Sequence, residues 1–214
     1  MLKSSLTKLG LCTFPAFMGA QVYMREFFQD KGLPDDLKDW QKTVDQMLAG
    51  IKTNKPLYLM VDQSFVKAGA PHRRPGVHID GYWIPAIGAH GGGHGGNAPG
   101  GHGSRRGHNA YPPGHKPGRS RHLTSWEESD YLEPEALILA SNYTACKAYT
   151  GEFDGKIKEG GDASEINMSN LTEHICEANR VYAGNVTMLH ESLPVKEDVY
   201  RTLVRINAPG VDLH

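Results

Sequence analysis

The chain has no run of about 18 apolar residues, the length a helix needs to cross a bilayer, so no transmembrane helix and no membrane partner are expected. Cysteine is scarce: Cys12, Cys146 and Cys176 are widely spaced, odd in number and without a CxxC pair. This excludes a disulfide framework and fits a reducing, cytoplasmic setting. Excess charge is missing too. The 23 basic and 24 acidic residues leave a formal net charge of −1, which argues against nucleic-acid binding by the chain as a whole.

The sharpest absence is local. From His90 to His122 there is no Val, Ile, Leu, Met, Phe or Trp, and no Asp or Glu. Such a segment cannot bury enough apolar surface to build a core. It is rich in Gly and His and carries Arg105, Arg106, Lys116, Arg119 and Arg121. Residues 90–122 are therefore read as an insertion loop in a single domain spanning 1–214, outside the β core and with little regular structure. The histidines at 90, 94, 102, 108, 115 and 122 are irregularly spaced and no cysteine joins them, which disfavours specific zinc ligation. A basic, glycine-rich loop without apolar anchors is expected to become ordered only against a partner. That partner is an anionic substrate or the acidic face of a neighbouring subunit in a homo- or hetero-oligomer. Deleting residues 91–121 should leave the domain folded.

At the N-terminus, Lys3 and Lys8 with "LGLCTFPAFMGA" loosely imitate a signal peptide. Gly10, Thr13, Pro15 and Gly19 interrupt the apolar stretch, which disfavours that reading.

The rest of the chain is periodic. "LPDDLKDWQKTVDQMLAGI" predicts a helix over about 35–50, with Leu37, Trp40, Val44, Met47, Leu48 and Ile51 at three- and four-residue steps. Asp35 or Asp36 can cap its start and Gly50 sits near its end. "PLYLMVDQSFV" and "GVHIDGYWI" read as strands, as do "EALILA", "CKAYTGEF", "NRVYAGNVTMLHESLPV" and "DVYRTLVRINAPG". "SNLTEHICEANR" predicts a second, short helix, with Asn170 and Glu173 at capping-box spacing and Leu171, Ile175 and Ala178 on one face. The strands are expected from residues 57–85 and 136–207, with the 35–50 helix packed outside. This is a mainly β fold with flanking helices (α+β), a β-sandwich or jelly roll with a long Gly/His-rich insertion.

His78 and Asp80 lie two apart in a strand-like run, so their side chains share a face. His190, at the end of an apolar strand, supplies a third group. Two histidines and one carboxylate make a facial triad for non-haem Fe(II), which leaves open positions on the metal. For such a site the three ligating atoms should lie within roughly 4 Å of one another. Arg201 and Arg205 follow in "YRTLVRIN", four apart and on one strand face. Arginines can hold a dicarboxylate through bidentate charge-assisted hydrogen bonds.

Each of these residues also has a plainer reading. His78 and Asp80 can be a surface pair, and His190 alone a satisfied strand-end histidine. The face carrying Arg201, Leu203, Arg205 and Asn207 can point to solvent or into a polar pocket. Arg73 and Arg74 read as a solvated turn. Tyr82 and Trp83 read as packing residues, or as substrate contacts at a pocket mouth.

"HID", a long gap, then "LHESLPV" and "YRTLVRI" resemble the double-stranded β-helix oxygenases that use Fe(II) and 2-oxoglutarate. The resemblance covers about residues 57–207, minus the insertion. It implies Fe(II) held by His78, Asp80 and His190, and 2-oxoglutarate, as co-substrate, gripped by Arg201, with Arg205 as a second arginine. The implied reaction is oxidative decarboxylation to succinate coupled to hydroxylation of a small-molecule or protein substrate that the sequence does not identify. Two alternatives belong to other classes. One is a structural or interaction protein of a large assembly, such as a phage virion component, with an idle or vestigial metal site. The other is a cupin-like metal-binding protein without 2-oxoglutarate.

Overall fold

Alternation along each strand decides which side chains meet a core, and here it produces two antiparallel sheets. The computed structural model describes residues 1–84, 119–120 and 131–213. Its strands are β1 (Leu2–Ser4), β2 (Leu6–Leu11), β3 (Gln21–Phe27), β4 (Leu57–Val66), β5 (Trp83–Ile84), β6 (Arg119–Ser120), β7 (Glu135–Ser141), β8 (Cys146–Phe153), β9 (Thr172–Cys176), β10 (Arg180–Asn185), β11 (Leu189–Ser192) and β12 (Val199–Pro209). The larger sheet has the order β2-β10-β7-β12-β4-β3. In the smaller one, β8 pairs with β1, β9 and β11.

The segment around His78 extends the smaller sheet. His78 bridges His190 of β11, and the amides and carbonyls of the two residues exchange hydrogen bonds of 3.0 Å. On its other side it bridges Asp162, with the Ile79 amide donating to the Gly161 carbonyl at 2.9 Å. The chain therefore passes repeatedly between the sheets, and its pairings are nested: β4 with β12, the His78 segment with β11, β7 with β10, β8 with β9.

Every residue of β7 is buried, as an apolar run without alternation requires when both faces of a strand are covered. On β4 and β12, Leu57, Leu59, Val61, Val204, Ile206 and Ala208 face the main core. Helix α1 (Gln41–Met47) and the 3-10 turn before it, Asp35–Trp40, cover that core from outside. All six apolar residues of the predicted helix face are buried there. The single helix becomes a 3-10 turn plus a short α-helix, and neither aspartate caps it with a side-chain bond. The Met47, Leu57 and Leu59 side chains are fully excluded from water, each worth roughly 1.5–3 kcal/mol.

Three expectations are corrected. "SNLTEHICEANR" is not a helix: Thr172–Cys176 is strand β9, paired along β8. The spacing of Leu171, Ile175 and Ala178 fits a helix, but a short apolar pattern does not discriminate, and the hydrogen-bonding edge of β8 decides. Residues 2–27 also supply three strands that the sequence reading did not assign. "GVHIDGYWI" is mostly an extended bridge, with only Trp83–Ile84 as strand. That strand pairs with Arg119–Ser120, which brings residue 84 beside residue 119. The other expectations for 90–122 lie outside the described residues.

Candidate metal centre

The inward faces of the two sheets carry the polar residues. On β12 these are Arg201, Leu203, Arg205 and Asn207; opposite them on β4 are Ser64, Asp62, Met60 and Tyr58. The solvent reading of the arginine face is thereby excluded: Arg201 is 1% exposed and the Arg205 side chain 14%.

The structure brings His78, Asp80 and His190 together. One ligand atom from each lies within 4.8 Å of the others, somewhat wider than the roughly 4 Å expected for a metal-bound triad. The histidines are prepared alike. His78 Nδ1 meets the Gly76 carbonyl at 2.8 Å, and His190 Nδ1 meets the Met188 carbonyl at 3.0 Å. A carbonyl can only accept, so each Nδ1 carries a proton and Nε2 is the atom left for a metal, on His190 once the proton it holds toward Asp80 has gone. The bridge between the two strands sets the rings 4.4 Å apart. Asp80 Oδ2 lies 3.4 Å from His190 Nε2 and accepts from Arg205 Nη1 at 2.6 Å.

The electrostatics follow from the same contacts. Burial would raise the Asp80 pKa, but Arg205 and His190 outweigh it and hold the carboxyl well below its usual range. Burial would lower the His190 pKa, and Asp80 outweighs it, so His190 titrates above an ordinary histidine. Burial and the neighbouring His190 push His78 down to about 3, so it is neutral at physiological pH. A carboxylate and two oriented imidazoles are a donor set suited to Fe(II) and similar divalent ions. The part-buried, anionic Asp80 between the two histidines fits that role.

Arg201 is placed alongside, on the strand neighbouring β7. Its Nε donates to Ser141 Oγ at 3.2 Å, Nη1 to Ser192 Oγ at 3.4 Å and Nη2 to the Ala145 carbonyl at 3.2 Å. Ser192 lies two residues after His190 on β11 and shares its face. All three acceptors are neutral, and no carboxylate of the described residues is within ion-pair distance of this guanidinium. Buried charges are normally paired. Arg205, by contrast, is committed to Asp80, with Nη2 also 3.4 Å from Met24 Sδ.

Several residues near the triad were not found from sequence. Asp62 accepts from His72 and Gln21 at 2.9 Å, Ser64 at 2.7 Å and Arg73 at 2.9 Å. These bonds, led by His72, outweigh burial and hold its carboxyl far below the usual range. Arg73 is ion-paired to Asp62 yet still exposed, as a solvated turn requires, whereas Arg74 is part-buried with Nη1 on the Gly160 carbonyl at 2.5 Å and departs from that reading. Glu135 is buried beside Asn207 and the Trp83 amide, and burial pushes its carboxyl up to about 7. Trp83 packs against Tyr58 and Tyr23; Tyr82 donates to the Glu133 carbonyl at 2.6 Å. A signal existed for Asp62 alone: it is the one charged residue of strand β4. Cys146 and Cys176 are direct partners across β8 and β9, and nothing in their 30-residue separation shows it.

A scan against protein-family models and searches of curated proteins and solved structures returned no match.

Proposed function

We propose that the protein is a non-haem Fe(II)- and 2-oxoglutarate-dependent oxygenase built on a double-stranded β-helix. The nested strand pairing supports the fold: a long antiparallel ribbon rolled up gives this order of partners in two facing sheets. One observation carries the function. A triad of two oriented imidazoles and a carboxylate shares an interior with a fully buried guanidinium that has no anionic partner among the described residues.

In this reading His78, Asp80 and His190 hold Fe(II), which with 2-oxoglutarate and oxygen supplies the decarboxylation to succinate that drives C–H hydroxylation. The Gly76 and Met188 carbonyls fix the imidazole tautomers. Arg205 orients Asp80 from behind and keeps it ionised. Arg201 receives the distal carboxylate of 2-oxoglutarate on the N–H groups left over from its three bonds to Ser141, Ser192 and Ala145. Arg205 takes no carboxylate unless it leaves Asp80, so its part is to support the ligand.

The test is anaerobic Fe(II) titration followed by succinate measurement after oxygen and 2-oxoglutarate are added. One iron per chain and succinate release are expected, both lost in His190→Ala. An interaction protein with an idle site binds metal and releases no succinate, and that result sinks the oxygenase reading.

A further inference from the structure

Cys146 and Cys176 face each other across the antiparallel pair β8/β9, and both are free and buried. Directly opposed residues in such a pair have Cα atoms about 4.5 or 5.5 Å apart, and both values lie within the range of about 4.4–6.8 Å that a disulfide spans. Directly opposed side chains in such a pair stand on the same face, and here that face is buried. Closing them requires a small approach of two strands and no change of register.

The pair is also built into the support of Arg201. The chain neighbour of Cys146 is Ala145, whose carbonyl accepts from Arg201 Nη2 at 3.2 Å and from the Leu193 amide at 3.0 Å. The cross-strand partner of Cys146 on β11 is Ser192, whose hydroxyl accepts from Arg201 Nη1 at 3.4 Å. Two of the three bonds that hold the guanidinium therefore run to residues flanking this cysteine. Cys12 has no such setting: it lies in the main apolar core, where burial pushes its thiol up to about 11.

We propose that Cys146 and Cys176 form a redox-active dithiol that closes to a cross-strand disulfide and, in closing, loosens the seat of Arg201. The oxidant is a peroxide. The Cys146 sulfur attacks one peroxide oxygen, the O–O bond breaks, and one water leaves, giving a sulfenic acid. The Cys176 sulfur then displaces the hydroxyl as a second water, and the S–S bond forms. Two thiols lose two protons and two electrons, and hydrogen peroxide becomes two waters. The bridge holds its Cβ atoms about 3.8 Å apart, nearer than the roughly 4.5–5.5 Å of directly opposed cross-strand Cβ atoms. Closure therefore draws β8 toward β9 and away from Ser192 and Arg201. This extends the proposed function, because Arg201 is the residue given to 2-oxoglutarate, but the thiol chemistry does not depend on that reading.

The experiment treats the full-length, metal-free protein with hydrogen peroxide and reads three quantities. Thiols titrated after denaturation should fall from three to one, with a peptide linking residues 146 and 176 that dithiothreitol separates. Amide exchange over residues 189–195, which includes Leu193, should accelerate on oxidation and recover on reduction. The affinity for 2-oxoglutarate should weaken about tenfold or more in the oxidised form, the loss of one bond to a charged group. Cys176→Ser should show none of the three changes. Failure to link 146 with 176, or a link that leaves exchange unaltered, overturns the proposal. If 2-oxoglutarate binds neither form, the assignment of Arg201 fails, while the thiol count and the exchange still decide the switch.

Discussion

Replacing Arg201 with methionine separates a binding role from a structural one. Arg201 is 1% exposed and donates three bonds of 3.2–3.4 Å to neutral acceptors. Burying a guanidinium costs several kcal/mol even after relaxation. Three bonds to a charged donor, at roughly 1.5–3 kcal/mol each, about offset that cost. Arg201→Met removes both contributions and keeps most of the side-chain volume. Stability should therefore change by less than about 2 kcal/mol, or less than about 8 °C in Tm for a chain of this size. Binding of 2-oxoglutarate should change far more. Loss of a charge-assisted contact worth about 1.5–3 kcal/mol weakens it roughly 10- to 150-fold. Metal affinity should stay the same, because none of Arg201's hydrogen bonds runs to a triad residue. Thermal denaturation, calorimetric titration with 2-oxoglutarate and Fe(II) titration on one preparation read all three. Unchanged 2-oxoglutarate affinity refutes the binding role. A variant that fails to fold shows instead that the guanidinium is a strut between β7, β8 and β11.

Asp80→Ala should abolish metal binding. Because the Arg205 guanidinium sits on this carboxylate at 2.6 Å, it should also cost the metal-free protein roughly 1–3 kcal/mol; a neutral effect on urea denaturation would show that the pair contributes nothing. Metal affinity should rise with pH through the elevated pKa of His190 by one proton per metal, since His78, at about 3, is already neutral; a flat profile or a two-proton slope between pH 6 and 8 would contradict this. Gly161 has φ +78°, and a Cβ there runs into the Ile79 carbonyl. Gly161→Ala should push the 161–163 segment off His78, lowering Tm and metal affinity together, and loss of only one of them would disconnect that segment from the site.

The sequence by itself determined the parts of this protein that depend on local period. The six-residue apolar face of the 35–50 segment, the runs that became β4, β7, β8, β10 and β12, and the shared face of His78 and Asp80 follow from spacings along one chain. The triad residues could be nominated for the same reason, since their chemistry and strand positions are written in the sequence. Only the tertiary structure decided which way the arginine face points. Arg201, Leu203, Arg205 and Asn207 alternate with Tyr200, Thr202, Val204 and Ile206, and that pattern is the same whether the arginine side meets solvent or a facing sheet. Only tertiary structure made β9 a strand, because the free edge of β8, not the spacing in "SNLTEHICEANR", selects the conformation. Finally, pairing between distant segments placed Arg205 on Asp80, Asp62 on His72 and Arg73, and Cys146 opposite Cys176. Contacts between residues 10 to 125 positions apart are set by how the strands and the segments between them pack, and register is a property of the fold.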